Sequence, residues 1–294
     1  MYMSEKIKRF YLYYRPVLLV LPVFILFLIF FIIPVASLFV ISFDKPMTGV
    51  LQLQGEWTFK SFLRIWNRSL YFNAAVTSVT LAAMVSGITL IIGYPLAYVI
   101  AKTEHVGRNT FLMILVLCSM QLDMVIRIFG LMVLLGDNGL INGALIYYNI
   151  IEKPIGLMYN RLGVVIGLVQ FSLPFMVLSL IGIIRGISPS VVEASRSLGA
   201  SPQKTFWNII LPLSMPGILA GTLLVFSISI SSYIVPALMG GWKVMVMPLH
   251  VYQQVAEMGK WQFGSAIAVV LFCTSLITVL IYQRVAIRIS GGRA

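Results

Sequence analysis

Six stretches of the chain run for about 20 residues or more almost without charge, the length a helix needs to cross the hydrocarbon core of a bilayer. They lie near residues 17–41, 71–101, 111–135, 162–184, 217–238 and 263–282. Backbone N–H and C=O groups find no partner in lipid, so such a chain must satisfy them within its own helices. The expected fold class is therefore all-α integral membrane, a six-helix bundle forming a single domain over residues 1–294. Composition agrees, with 60% hydrophobic residues, 10% charged residues and a mean hydropathy of +0.97, well outside the range of soluble domains. Pro22, Pro34, Pro95, Pro174 and Pro236 fall in or beside these runs. Membrane helices tolerate them as kinks where neighbours satisfy the freed carbonyls. The first run follows Lys6, Lys8, Arg9 and Arg15, as in a signal peptide, but exceeds the usual apolar segment of about 7–15 residues and reads as a retained helix.

The net charge of +12 does not point to nucleic acid, because the basic residues occupy short flanks between apolar runs. Their distribution instead orients the chain. The side holding both termini and the loops after residues 101 and 184 carries twelve Lys and Arg, against eight on the other side. Both termini, and the loop at 185–213, are expected in the cytoplasm. The loop at 42–70 carries Trp57, Phe59, Phe62 and Trp66, which suit an aromatic belt at the outer interface. Cys118 and Cys273, far apart in apolar runs, suggest packing rather than a disulfide or metal pair.

The 185–213 loop is polar and punctuated. Ser188-Pro189 and Ser201-Pro202 each place a serine oxygen before a proline suited to the first helical position, so two short helices are expected. Gly199 is placed to end the first in a left-handed conformation, while Pro212 and Pro216 limit continuation of the second. Val191, Ala194 and Leu198 share one helical face. An ordinary wet connector and a docking knob both fit these residues.

The stretch "EASRSLGASPQKTFWNIILPLSMPGILAG" strongly resembles the cytoplasmic coupling motif of binding-protein-dependent ABC importer permeases, Glu-Ala-Ala, then a glycine, then Ile-x-Leu-Pro. The matching residues are Glu193, Ala194 and Ser195, with serine for the third alanine, then Gly199, and Ile209 to Pro212. Leu198 and Leu211 belong to the same motif region. Further segments, "GYPLAYVIAK" (93–102), "RIFGLMVLLGDNGLIN" (127–142), "VVIGLVQFSLPFMVLSL" (164–180) and "YIVPALMGG" (233–241), are similar to the first permease of the spermidine/putrescine importers and their opine- and aminophosphonate-transporting relatives. The resemblance implies the methionine-importer-like permease fold in the bacterial inner membrane. It also implies two ATP-binding subunits docked on the loop, a second and distinct permease chain, and a periplasmic solute-binding protein. ATP and Mg would be bound by the ATPase subunits, with no cofactor or metal in this chain. The cargo would be a small polar solute, such as a polyamine, an opine or an amino-acid-like compound.

Asp123 and Arg127, four apart in the third run, can share a helical face. A charge at the bilayer centre costs about 2.5–3.5 kcal/mol on insertion scales, so both are expected to face the bundle interior, as a packing pair or beside the translocation route. Related polyamine permeases tend to have a proline and a tryptophan just before the arginine, where this chain has Ser119 and Gln121. Losing a ring that stacks on organic cations makes an anionic or zwitterionic cargo more credible, while Asp123 leaves the sign open. Gln170, Ser172, Ser231, Ser232 and Tyr233 are further pathway candidates, although serines also serve close helix packing.

No catalytic constellation occurs: His105 and His250 fall on opposite sides, and no G-x-x-x-x-G-K-[ST] phosphate loop is present. The expected role is a non-catalytic transport subunit. The rival readings are a self-sufficient secondary transporter or channel that uses Asp123 and Arg127, and a structural membrane scaffold.

Overall fold

The computed structural model describes residues 20–47, 49, 55–103 and 105–289. The basic residues at positions 6–15 and Arg293 lie outside the described residues, as do residues 17–19 of the first run. Helix α1 (Val20–Ser42) is followed by α2 (Lys60–Trp66), α3 (Ser69–Lys102), α4 (Val106–Gln121), α5 (Met124–Leu135) and α6 (Leu140–Tyr147). Then come α7 (Arg161–Gly186), α8 (Pro189–Ser197), α9 (Pro202–Leu213), α10 (Met215–Ser231), α11 (Ile234–Met239), α12 (Met247–Tyr252) and α13 (Trp261–Ile289). Among the described residues five helical segments are long and apolar enough to span a membrane, and the α9–α10 pair, bent by 61°, passes the same test when taken as one broken span.

Two compact units divide the chain. In the unit of residues 1–67 and 253–269, Phe43 packs against Trp57, Phe59 and Phe62, and Arg64 lies 4.5 Å over the Phe263 ring. Trp57, Phe59 and Trp66 remain exposed, as interfacial aromatics do. The unit of residues 68–252 and 270–294 is built on α3, α7 and α10, which pack pairwise. Val85 and Ala97 of α3, Leu168, Met176 and Leu180 of α7, and Val225 of α10 form its buried centre.

Lipid tails are as apolar as leucine, so helices associate in a membrane through close packing, which small residues permit. Here Met176 of α7 fills space left by two glycines. A Cβ on Gly93 of α3 would lie 3.0 Å from Met176 Cγ, and one on Gly221 of α10 would lie 2.7 Å from Met176 Sδ. Two prolines follow local π-turns: Ile33 N–H reaches back to Leu28 O just before Pro34, and Leu211 N–H to Phe206 O just before Pro212. A widened turn absorbs the ring that an ordinary helical turn would meet.

Two expected spans are broken. The run at 111–135 divides at Leu122–Asp123 into α4 and α5, because Asp123 leaves the helical region and caps a new helix, its Oδ1 accepting from Val125 N at 2.8 Å. The run at 217–238 divides at Ser232–Tyr233 between α10 and α11. Cys118 and Cys273, read from sequence as packing residues, are both exposed on the chain.

Replacing Gly221 by Leu forces the new side chain into Met176 and should destabilise the protein by about 1–3 kcal/mol. Thermal unfolding in detergent should show a lowered Tm, partly restored by adding Met176→Ala. Gly87→Leu, which meets open space, should leave Tm nearly unchanged.

Candidate functional site

The 185–213 loop folds into a helical corner. Pro189 and Pro202 each occupy the first turn of their helix, where a missing N–H does no harm. Ser201 caps α9 by accepting from Lys204 N at 3.3 Å. Ser188 does not cap α8; its Oγ pairs with Ser190 Oγ at 2.7 Å instead. Between the helices Gly199 has φ +80°, a left-handed conformation that closes α8, with its N–H bonded to Arg196 O.

Within the corner, Ser195 is buried, and its Oγ lies 3.0 Å from Thr205 Oγ1, so one hydrogen bond joins α8 to α9. The residue that departs from the expected alanine is therefore the one that ties the two helices. Val191, Ala194 and Leu198 form an exposed apolar face along α8 and its cap, Leu198 at 88%, and Glu193 is exposed as well. Full burial of a leucine contributes about 1.5–3 kcal/mol, so this face gains by meeting an apolar cleft. Glu193 and Arg196 beside it exclude the hydrocarbon core as that environment.

Residues not singled out from sequence hold the corner to the bundle. Phe206 of α9 packs edge-on against both Tyr94 and Tyr98 of α3, each 5.8 Å between centroids. Ser214, in the bend between α9 and α10, donates to Leu211 O, so Tyr94 donates its hydroxyl to Ser214 Oγ at 2.8 Å. Asn109 of α4 donates to the Ile100 and Thr103 carbonyls at the end of α3 and accepts from Arg185 of α7 at 2.8 Å. The available signal was the i, i+4 spacing of Tyr94 and Tyr98. Leu211 is half-buried and Pro212 exposed at the end of α9.

The intramembrane candidates separate into two groups. Gln121 and Asp123 are exposed at the α4–α5 break, contrary to the expectation that Asp123 faces the interior. Asp123 forms no ion pair with Arg127 among the described residues; its carbonyl accepts from Arg127 N instead. Ser231 is exposed and donates back to Ser227 O, and Tyr233 stacks on Tyr252 at 5.1 Å. Arg127, by contrast, is only 9% exposed and lies 4.8 Å over the Phe171 ring. A desolvated cation–π contact contributes about 2 kcal/mol, comparable to the insertion cost of the charge, yet it accepts no hydrogen bond. Arg127 Nε and Nη1, Gln170 Oε1, Ser172 Oγ and Ser232 Oγ are buried without hydrogen-bond partners among the described residues.

The fold is that of a multi-span helical membrane protein whose α8, carrying Glu193 and Arg196, leaves an apolar residue, Leu198, exposed at its end. The chain matches the family described as "Binding-protein-dependent transport system inner membrane component" over residues 92–291 and belongs to it. It is 36% identical to the spermidine/putrescine transport system permease protein PotB of Escherichia coli (strain K12) over 215 residues, 73% of this chain and 78% of that protein. Among solved structures it shares the fold of a bacterial ABC transporter that imports the acidic polysaccharide alginate, with TM-score 0.76, 19% identity and coverage of 97% and 98% of the two chains. The MetNI methionine ABC transporter is similar at TM-score 0.56, 14% identity and coverage of 78% and 96%. The protein is thus a non-catalytic permease subunit of an ABC importer, multi-pass in the bacterial inner membrane, in a family that works with another permease, ATPases and a binding protein. Family membership does not favour the self-sufficient transporter.

The Ser195–Thr205 bond makes a double-mutant cycle informative. Thr205→Val alone leaves Ser195 buried without its partner and should lower stability by about 1–3 kcal/mol. Ser195→Ala/Thr205→Val should recover much of that loss in thermal unfolding of the purified protein.

Proposed function

We propose that this chain is the permease through which a small polar solute crosses the inner membrane, driven by ATP hydrolysis in two partner subunits docked on the α8–α9 corner. Glu193, Ala194, Ser195, Leu198, Gly199, Leu211 and Pro212 form or frame that docking element. Both termini and the corner face the cytoplasm, in keeping with the excess of Lys and Arg on that side. A second, distinct permease chain completes the pathway, and a periplasmic binding protein delivers the solute. ATP and Mg²⁺ are bound by the ATPase subunits, and this chain needs no cofactor. The solute is a polyamine, an opine or an amino-acid-like compound, a range supported by the likeness to a spermidine/putrescine permease.

The observation that carries the reading is the exposed Leu198 face on a corner tied into the bundle. Movement of the ATPases displaces α8, the Ser195–Thr205 bond passes the displacement to α9, and Phe206 bears on Tyr94 and Tyr98 of α3. Rigid-body rocking of the permease halves then alternates access to the solute.

Gly199→Val tests this directly. No atom lies within 4 Å of a Cβ at Gly199, so the variant strains only the backbone, by about 1–2 kcal/mol in the left-handed region. Combined with Glu193→Ala it should weaken ATPase docking roughly tenfold or more. Co-purification and solute-stimulated hydrolysis by the reconstituted complex measure the effect, with the isolated permease checked for an unchanged spanning bundle. Unaltered docking and stimulation would overturn the coupling assignment.

A further inference from the structure

A cavity of about 330 Å³ opens in the unit of residues 1–67 and 253–269, lined by Pro46, Met47, Arg64, Lys260 and Phe263. Its charged walls are both cationic. Lys45 nearby pairs with Glu56 at 2.9 Å, but no carboxylate forms an ion pair with Arg64 or Lys260 among the described residues, Glu257 included. Lys260 Nζ meets only the Met258 thioether, at 3.8 Å, a weak acceptor. The Arg64 guanidinium lies 4.5 Å over the ring of Phe263, which is buried, so the ring holds the guanidinium in the wall. A face contact of this kind leaves the planar N–H edge open to an acceptor.

The position of the cavity limits what can fill it. Pro46 and Met47 follow the end of α1, Lys260 immediately precedes α13, and Phe263 lies in the first turn of α13. The cavity therefore sits at the level where two spans leave the hydrocarbon. Trp57, Phe59, Trp66 and Trp261 of the same unit are exposed, and aromatic residues at such a level mark the headgroup region. We propose that the cavity receives the phosphate of an anionic phospholipid between Arg64 and Lys260. Phosphate oxygens take the guanidinium edge in pairs, and another accepts from Lys260 Nζ. The acyl chains have the exposed apolar surface of α1 beside them. A water takes about 30 Å³, so a five-atom inorganic phosphate would leave most of this volume empty. A carboxylate on a partner protein would meet the same charges but gain nothing from the interfacial aromatics. A headgroup with its own ammonium brings like charge to both cations, which favours phosphatidylglycerol over phosphatidylethanolamine.

The purified permease in dodecyl maltoside would be titrated with dioleoyl phosphatidylglycerol and with dioleoyl phosphatidylethanolamine, the bound lipid being counted by native mass spectrometry. Phosphatidylglycerol should bind more tightly, and Arg64→Gln/Lys260→Gln should weaken it about 10- to 30-fold, as two basic contacts to an anionic headgroup predict. Lys153→Gln/Arg161→Gln removes the same charge from exposed positions elsewhere and should leave the affinity nearly unchanged. Equal binding of the two lipids, an unchanged affinity in Arg64→Gln/Lys260→Gln, or an equal loss in both double variants would each overturn the proposal. Displacement of the lipid by millimolar inorganic phosphate would identify a free-anion site and overturn the lipid assignment. Loss of binding-protein capture by Arg64→Gln/Lys260→Gln with phosphatidylglycerol still bound would give the cavity to an acidic protein surface instead. If that variant does not fold, Lys260→Gln alone decides, because this side chain is held only by a thioether. A phosphatidylglycerol affinity lowered about fivefold then supports the site, and an unchanged one refutes it.

Discussion

Met176 has room only because Gly93 and Gly221 lack side chains, and the packing of α3, α7 and α10 depends on that fit. In water the burial of apolar surface would drive these helices together, but in hydrocarbon it does not, and shape complementarity must serve instead. Thioether flexibility suits methionine to such a space, since its three rotatable bonds follow the two glycine surfaces. The same three helices hold what the protein uses. Helix α3 carries Tyr94 and Tyr98 under the corner, α7 carries Phe171 and Gln170, and α10 leads from the bend at Ser214 to the break at Ser232.

The break at Leu122–Asp123 is the second constraint on the site. An acid in an apolar run can be compensated by a nearby cation or by backbone N–H groups that a new helix start leaves free. Asp123 takes the second course, and its side chain bonds Val125 N. The consequence reaches Arg127. With the acid exposed at the helix start, the guanidinium makes its close contact with the Phe171 ring instead.

Much of this was legible in the sequence, for identifiable reasons. Apolar run length reflects the thickness of the bilayer, so the spanning segments can be located without tertiary information. The corner could be read because Ser-Pro pairs and Gly199 are local signals whose effect depends only on the backbone. What could not be read depends on partners distant in sequence. Phe206 and Tyr94 are over 100 residues apart, and nothing local distinguishes Phe206 from the lipid-facing aromatics. Asp123 was misread because four-residue spacing to Arg127 presupposes an unbroken helix, and the acid itself breaks it. Ser195 reads as a small substitution for alanine until Thr205 is seen ten positions later with its hydroxyl in reach.

These features also connect the corner to Arg127 through continuous packing. Phe206 bears on α3, α3 packs against α7 around Met176, and Phe171 of α7 covers Arg127 on α5. Side chains in such contacts are close-packed, so a displacement at one end has little void in which to dissipate. Contiguity alone does not make a transmission path; an element with two arrangements is also needed. The two breaks supply candidates for that element. At Leu122–Asp123 and at Ser232–Tyr233 the helical hydrogen-bond ladder is already interrupted, so α5 and α11 can reorient about them without losing further ladder bonds. Both α5 and α11 pack against α7, so a displacement passed from α3 to α7 meets them next.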